Sequence, residues 1–264
     1  MLKKRIIFAL LYSDGYFHLS RNFRLQKVGD LNWLINNFGF GETCHFIDEL
    51  TCILVKRNPT RDDKKNFLLD IEKLRKKIFV PIMIGGGISN VEDAKNYFLN
   101  GADKVMINSN IYSEKLMEEI SANWGKQSIS IMIDYLKNEN QKDSKIMINC
   151  GTKFKILLSE FVDKYLNKLT YGEMILNSIN NDGNGEGLDL DIINKIPNNL
   201  KSPILLMGGA GKPQHINEGL NLEKITGVVT ANLFNFLGSG LEISRNKCLE
   251  NGINLAKFQK SIIL

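Results

Sequence analysis

Proline, cysteine, histidine and tryptophan are scarce in this chain, with 5, 4, 3 and 2 copies among 264 residues, and these scarcities exclude several classes of protein. Cys44, Cys52, Cys150 and Cys248 lie far apart with no C-x-x-C pair, so neither a zinc site nor a disulfide framework is suggested, and reduced, mostly buried thiols are expected. His18, His45 and His215 show no metal-ligand spacing, and no metal or cofactor is expected. No apolar run approaches the roughly 20 residues of a membrane span. The start MLKKRIIFALLYSDG has too short an apolar stretch, without small-residue cleavage chemistry, for a signal peptide, and the cytoplasm is the expected setting. A surplus of one charge sign is also missing. The net charge of +5 is modest, and the lysines are dispersed among Asp, Glu and Asn, which argues against nucleic acid as the main partner. An anionic small ligand suffices.

Glycine, by contrast, is plentiful and concentrated. GGGISN at Gly85 and GGAGKP at Gly208 each follow an apolar strand-like run and precede a helix-like one, the local order of a phosphate cradle. Their separation is about 123 residues, near half the chain, and self-similarity on that scale signals a repeated architecture. The same offset lays Arg5–Tyr12 on Ser128–Tyr135, so that Leu11 faces Asp134, and brings Glu49 within one residue of Glu173. One half carries an acid that the other lacks.

Eight short aliphatic runs, RIIFALLY, ELTCILV, VPIMI, KVMIN, SISIMID, EMILNSI, PILLM and GVVTA, alternate with amphipathic helical patterns, as parallel β/α units require. The segment from Asp62 to Lys77 repeats Phe67, Leu68, Ile71 and Leu74 at helical spacing. Ser89-Asn90-Val91-Glu92 reads as a capping box opening a helix that Gly101 closes. The strand count, the repeat and the length favour one closed (β/α)8 barrel, with half-barrels over roughly 1–123 and 124–264 and phosphate-binding loops on its C-terminal face, over an open three-layer sheet with a small second domain. Two segments, Ser13 to Gly29 and Leu136 to Phe154, fall outside the alternation. Loops after barrel strands lie on the catalytic face, so both are candidate flaps; surface insertion is the alternative, above all for the second.

In such barrels a phosphate sits among the loops after strands seven and eight. Here those loops hold Gly208, Gly209 and Gly211, then Ala231 and Asn232. The half-chain symmetry adds Gly85, Gly86 and Gly87 after strand three, and Asn108 with Ser109 after strand four. A ligand bearing two phosphates fits the pair.

The stretches MLKKRII, IDEL, IGGGIS, NGADKVMINS, INNDGNGEGLDL and GGAGK resemble the cyclase subunit of imidazole glycerol phosphate synthase over nearly the whole chain. The resemblance implies a barrel docked to a glutaminase, with ammonia passing through the barrel to a bis-phosphorylated ribonucleotide. It implies essential Asp residues at the ends of strands one and five, which fall on Leu11 and Asp134. A phosphate-holding Lys falls on Leu19, a strand-two acid on Leu54 and a seventh-strand Ser on Met207, all replaced. Asp182 matches a substrate-site acid, and Gly183 beside it joins the phosphate-binding set. An ammonia gate matches Arg5, Glu49, Lys104 and Glu173, all kept, and Asp103 matches a glutaminase-interface residue. Leu11 has no ionisable group and cannot move a proton.

Loss of one acid with the gate retained is similar to the paralogues found with surface-polysaccharide genes. That resemblance implies an ammonia-conducting, phosphate-binding barrel working with a glutaminase and an ATP-dependent amidotransferase to amidinate a sugar. A working cyclase of histidine biosynthesis and a phosphosugar-binding regulatory barrel are the alternatives. A ring that merely closes the barrel bottom is the plain reading of the four charges, although hydrophobic plugs would do that at lower desolvation cost.

Overall fold

Along the chain, inward and outward residues alternate so strictly that the strands sort the apolar side chains into two separate cores. The computed structural model describes residues 3–38, 45–137, 143–231 and 239–256. β1 (Arg5–Ser13) is followed by a hairpin of β2 (Tyr16–Arg21) and β3 (Arg24–Gly29), then α1 (Leu31–Phe38), β4 (Glu49–Leu54) and α2 (Arg61–Arg75). β5 (Ile82–Gly85), α3 (Val91–Leu99), β6 (Lys104–Ile107) and α4 (Glu114–Trp124) complete the first four units. β7 (Ile129–Lys137) carries a second hairpin, β8 (Ser144–Ile148) and β9 (Lys153–Leu157), before the short α5 (Leu158–Phe161) and a π-helical turn over Val162–Leu166. β10 (Glu173–Ser178), a 3₁₀ segment over Leu190–Lys195, β11 (Ile204–Met207), α6 (Pro213–Asn221), β12 (Ile225–Thr230) and α7 (Gly240–Glu250) finish it.

Eight of these strands pair in parallel in the cyclic order β1, β4, β5, β6, β7, β10, β11, β12 and back to β1. The sheet is a closed (β/α)8 barrel. Ile7, Ala9, Leu11, Ile53, Met83, Met106, Met132, Ile175, Leu205, Met207 and Val229 fill its inside, and a larger cluster lies between strands and helices. Phe67, Leu68, Ile71 and Leu74 of α2 are buried as the helical spacing predicts.

One local expectation is corrected. The N-cap of α3 is Asn90, which accepts the N–H of Asp93, while Asp93 accepts from the backbone and hydroxyl of Ser89. The box is thus one residue out of step with Ser89–Glu92, because a short Asp at N3 reaches back where Glu92, a residue earlier, points away. The segments after the first and fifth barrel strands are ordered antiparallel hairpins in their described parts. Asn22 and Phe23 at one tip, and Asn149 and Cys150 at the other, all have positive φ, as the tight turns that suit twisted hairpins require.

The repeat also appears in the register. Ile7 stands opposite Glu49 and Leu11 opposite Ile53 in the first half; Ser130 stands opposite Glu173 and Asp134 opposite Asn177 in the second. The glycine loops align one residue further along than the sequence offset places them: Gly85 lies within β5, and the left-handed pair Gly86 (φ +100) and Gly87 (φ +69) matches Gly208 (φ +98) and Gly209 (φ +96).

A Cβ on Gly86 would stand 2.2 Å from the carbonyl oxygen of Leu54. Gly86→Ala is therefore expected to cost roughly 2–4 kcal/mol in chemical denaturation. Gly15→Ala, left-handed but with open space around it, should cost only about 1 kcal/mol; equal costs would mean that conformation alone, not the approach to Leu54, selects glycine.

Candidate functional site

At the N-terminal mouth the inward-pointing first residues of four strands meet. Arg5 reaches Glu49 with one terminal nitrogen (2.8 Å) and Glu173 with the other (2.6 Å), and Lys104 Nζ bridges the same two acids at 2.8 and 2.9 Å. The result is a closed ring of alternating sign. Ser130 Oγ donates to Glu173 Oε1 at 2.6 Å. The acids are almost wholly enclosed, at 3 and 6 % side-chain exposure, whereas Arg5 and Lys104 keep 21 and 20 %. Burial pushes the Glu49 carboxyl up, and the neighbouring Glu173 adds to that against the pull of Lys104 and Arg5. Glu173 feels the same burial, yet Arg5, Lys104 and Ser130 together hold it below the usual carboxylate range. Arg5 is a rigid fork shared between the acids, while Lys104 is a point charge on a flexible stem.

Asp103, next in sequence, is exposed and accepts the backbone N–H of Ile82 at 2.8 Å. Asp48 does the same for Ile6 at 2.8 Å and also pairs with Arg245 of α7 at 2.9 Å.

At the other end the barrel opens into a cavity of about 430 Å³ whose floor is divided. Leu11, Ile53, Met106, Met132 and Met207 form an apolar part; Asp134, Asn108 and Asn177 form a polar one. Asp134 Oδ1 accepts from Asn177 Nδ2 at 2.8 Å and Oδ2 from Asn108 Nδ2 at 3.1 Å. Burial pushes its carboxyl up to about 7; the two amides pull against that, and Asp182 adds to it. Asp182 is also raised by burial, but its Oδ2 accepts from Ser20 Oγ at 2.5 Å and from Phe23 N at 2.9 Å, and its carbonyl accepts from Asn22 N at 2.9 Å. This acid clamps the tip of the β2–β3 hairpin. Phe23 in turn packs on Gly151, where a Cβ would stand 2.4 Å from the ring, so the two hairpins touch above the cavity.

The cradles differ. Gly86 and Gly87 open onto the large cavity beside Ser89, Asn108, Ser109, Arg57 and Lys64. Gly183, Gly208, Gly209 and Ala231 border an adjoining cleft of only about 30 Å³, which shares Leu11, Ser20, Asp182 and Met207 with the large cavity. The Gly211 N–H is spent on His215 Nδ1 at 3.2 Å, and Gly209 O accepts from Gly187 N at 2.9 Å. Asn232, also expected in this set, lies outside the described residues, as does Cys44. Asn108 directs its amide donors at Met132 O (2.9 Å) and Asp134, and Ser109 Oγ accepts from Asn149 N at 3.1 Å. The site gathers Asp134, Asp182, Asn108, Ser109 and the first cradle into one cavity, and leaves most of the second cradle in the cleft.

Residues 53–238 match the model of the histidine biosynthesis protein family. A protein of Parasynechococcus marenigrum (strain WH8102), provisionally named imidazole glycerol phosphate synthase subunit hisF2, is 42% identical over 98% of this chain and 95% of its own length. The imidazole glycerol phosphate synthase subunits HisF of Chlorobium limicola (strain DSM 245 / NBRC 103803 / 6330) and Clostridium botulinum (strain 657 / Type Ba4) are 29 and 28% identical, over 96 and 97% of this chain and 98 and 99% of theirs. The chain belongs to the histidine biosynthesis protein family. Within it the chain is HisF-like.

The positions at which the resemblance implied other residues fall on one side of the upper face. Leu11 and Leu54 are buried at the cavity wall, Met207 beside them, and Leu19 lines the small cleft. Asp134 and Asp182 are the carboxylates among the described lining residues of the large cavity. Sequence reasoning missed Asn177, Arg57 and Cys150. Asn177 was within reach, because it lies four residues beyond the inward Glu173 and strand side chains alternate with a period of two.

Two outcomes follow. Lys104→Met leaves Glu49 and Glu173 sharing Arg5 alone, and should lower unfolding free energy by about 3–5 kcal/mol; a loss under 1 kcal/mol would show the ring to be as weak as a surface pair. Asp182→Ala removes the hairpin clamp, so tryptic cleavage at the exposed Arg21 and Arg24 should quicken by about tenfold, and an unchanged rate would place the clamp elsewhere.

Proposed function

We propose that this chain is an ammonia-conducting, phosphate-binding barrel that works with a glutaminase, docked at the charged mouth near Asp103, and with an amidotransferase in amidination of a surface-polysaccharide sugar. The observation that carries this reading is the distribution of polar groups along the barrel interior. Below, the four-member ring is complete. In the ring itself Glu49 Oε1, and above it Thr51 Oγ1 and Asn177 Oδ1, are among the buried side-chain atoms without a partner, all on inward positions of β4 and β10. Each such orphan costs about 1–3 kcal/mol, and each is met by a small donor such as ammonia. They run from the ring to the cavity that holds Asp134.

Leu11 supports the same reading from the other side. It is 6% exposed, faces Ile53 across the strand pair and has no proton to give. A chain that transports nitrogen needs no acid there; one that closes an imidazole ring does.

A second reading, the cyclase subunit acting in histidine biosynthesis, is favoured by Asp134, whose carboxyl exchanges protons near neutral pH, and by the HisF relatives. Proton transfers would then fall to Asp134 and Asp182.

Supplying the bis-phosphorylated ribonucleotide with ammonium salts separates them. Loss of a general acid/base group predicts turnover about 10²- to 10⁴-fold below that of a HisF relative assayed alongside. Turnover equal to that relative's would establish the cyclase and end the conduit-only reading.

A further inference from the structure

Asp134 is a carboxylate without a cation. It is 5% exposed, and its hydrogen-bond partners are the neutral amides of Asn108 and Asn177. Each of its oxygens keeps a lone pair after accepting one amide donor. Beside it, Asn177 is 4% exposed, spends Nδ2 on Asp134 and leaves Oδ1 with no partner. Both residues line the floor of the upper cavity. The charged and titratable groups facing Asp134 are Asp182 from the segment after β10, of like sign, and the Cys150 thiol from the second hairpin tip. Arg57, from the segment after β4, acts on Cys150 and is not among the groups that shift Asp134.

We propose that Asp134 and Asn177 Oδ1 form a reception site for ammonium at the point where the barrel interior enters the cavity. The two Asp134 oxygens and Asn177 Oδ1 supply three acceptors in a cavity also lined by the sulfur-bearing and aliphatic side chains of Met132, Met106 and Leu11, a set that suits a cation recognised through N–H donors. A metal cation needs a fuller shell of oxygens. The step is a proton transfer: ammonia arriving as a neutral molecule takes the proton of the Asp134 carboxyl on its lone pair, giving ammonium held by the carboxylate and by Asn177 Oδ1. The reverse transfer returns the proton to Asp134 and frees ammonia as a nucleophile for whatever occupies the cavity. The near-neutral titration of this carboxyl lets both directions run. Burial without a countercharge raises it, and ammonium supplies the countercharge.

The inference deepens the conduit reading, which supplies the ammonia, but its test needs neither a glutaminase nor a sugar. The thermal midpoint of the isolated chain is compared in ammonium chloride and in potassium chloride of equal ionic strength. At about pH 8, ammonium should raise the midpoint over potassium by on the order of 2–4 °C. At about pH 5.5, with Asp134 protonated before any ligand binds, the difference should vanish. Asp134→Asn, which keeps the side-chain shape, and Asn177→Leu should each abolish it. Equal midpoints in the two salts, or a difference that survives Asp134→Asn, would overturn the site. Failure of the conduit itself would appear instead as absent glutamine-driven transfer with this salt response intact.

Discussion

The rest of the barrel is keyed to the ion ring at its lower mouth. Glu49 and Glu173 can be buried only because Arg5 and Lys104 stand on inward positions of strands one and four at the right height, since an unpaired buried carboxylate costs several kcal/mol. Strand side chains alternate, so fixing those four residues inward fixes every second residue above them, and a one-residue slip in any of these strands would expel its member from the ring. Leu11, Ile53, Asp134 and Asn177 reach the cavity because Ile7, Glu49, Ser130 and Glu173 stand opposite one another four residues below.

This geometry also divides the interior by what it can carry. The ring is neutral as a whole, and the section above it is lined by Ile7, Ala9, Met83, Ile175, Leu205 and Val229. A bare cation in that section would lose its hydration with nothing to replace it. On the proposed conduit role, nitrogen would cross this section as uncharged ammonia, with Thr51 Oγ1 an unpaired polar atom on the way. Charge becomes affordable again only at Asp134. The three zones, the charged ring, the apolar section and the cavity floor with Asp134, follow one another along the same inward rows.

Much of this was legible in the sequence. The eight aliphatic runs locate all eight barrel strands to within two residues or so, because parallel strands covered on both faces must be continuously apolar. The glycine pairs mark strand-to-helix turns, though Gly85 itself belongs to β5. The hairpins were harder. Their strands, such as Arg24–Gly29 with mostly exposed residues, are polar and short, so nothing in their hydropathy separates them from loop; only the Asn at each tip hints at a left-handed turn. Asp182 illustrates a different limit. Its type and place beside Gly183 suggest a substrate contact, yet whether its oxygen meets a ligand or the backbone of Phe23 depends on how a hairpin from across the barrel folds over. Asn177 and Thr51 were obscured because a lone polar residue in an apolar run reads as noise until the register gives it a direction.

The register further shows that the two halves differ at more than one facing position. In the second half Asp134 faces Asn177, whose amide donates to it; in the first, Leu11 faces Ile53 at the equivalent pair of positions. Aliphatic side chains stand in the first half where the second has a carboxylate and its supporting amide, and Leu54 and Met207 extend the same apolar surface. A carboxylate alone at position 11 would sit against Ile53 and Met207 with no donor from either, so burial would raise its pKa and hold it protonated. The two halves thus differ as packing units, with an aliphatic pair at Leu11 and Ile53 where the second half has Asp134 and its supporting amide. A buried carboxylate supported by two amides on one side of the barrel, facing an aliphatic wall on the other, is costly as mere packing and argues that Asp134 serves a task of its own.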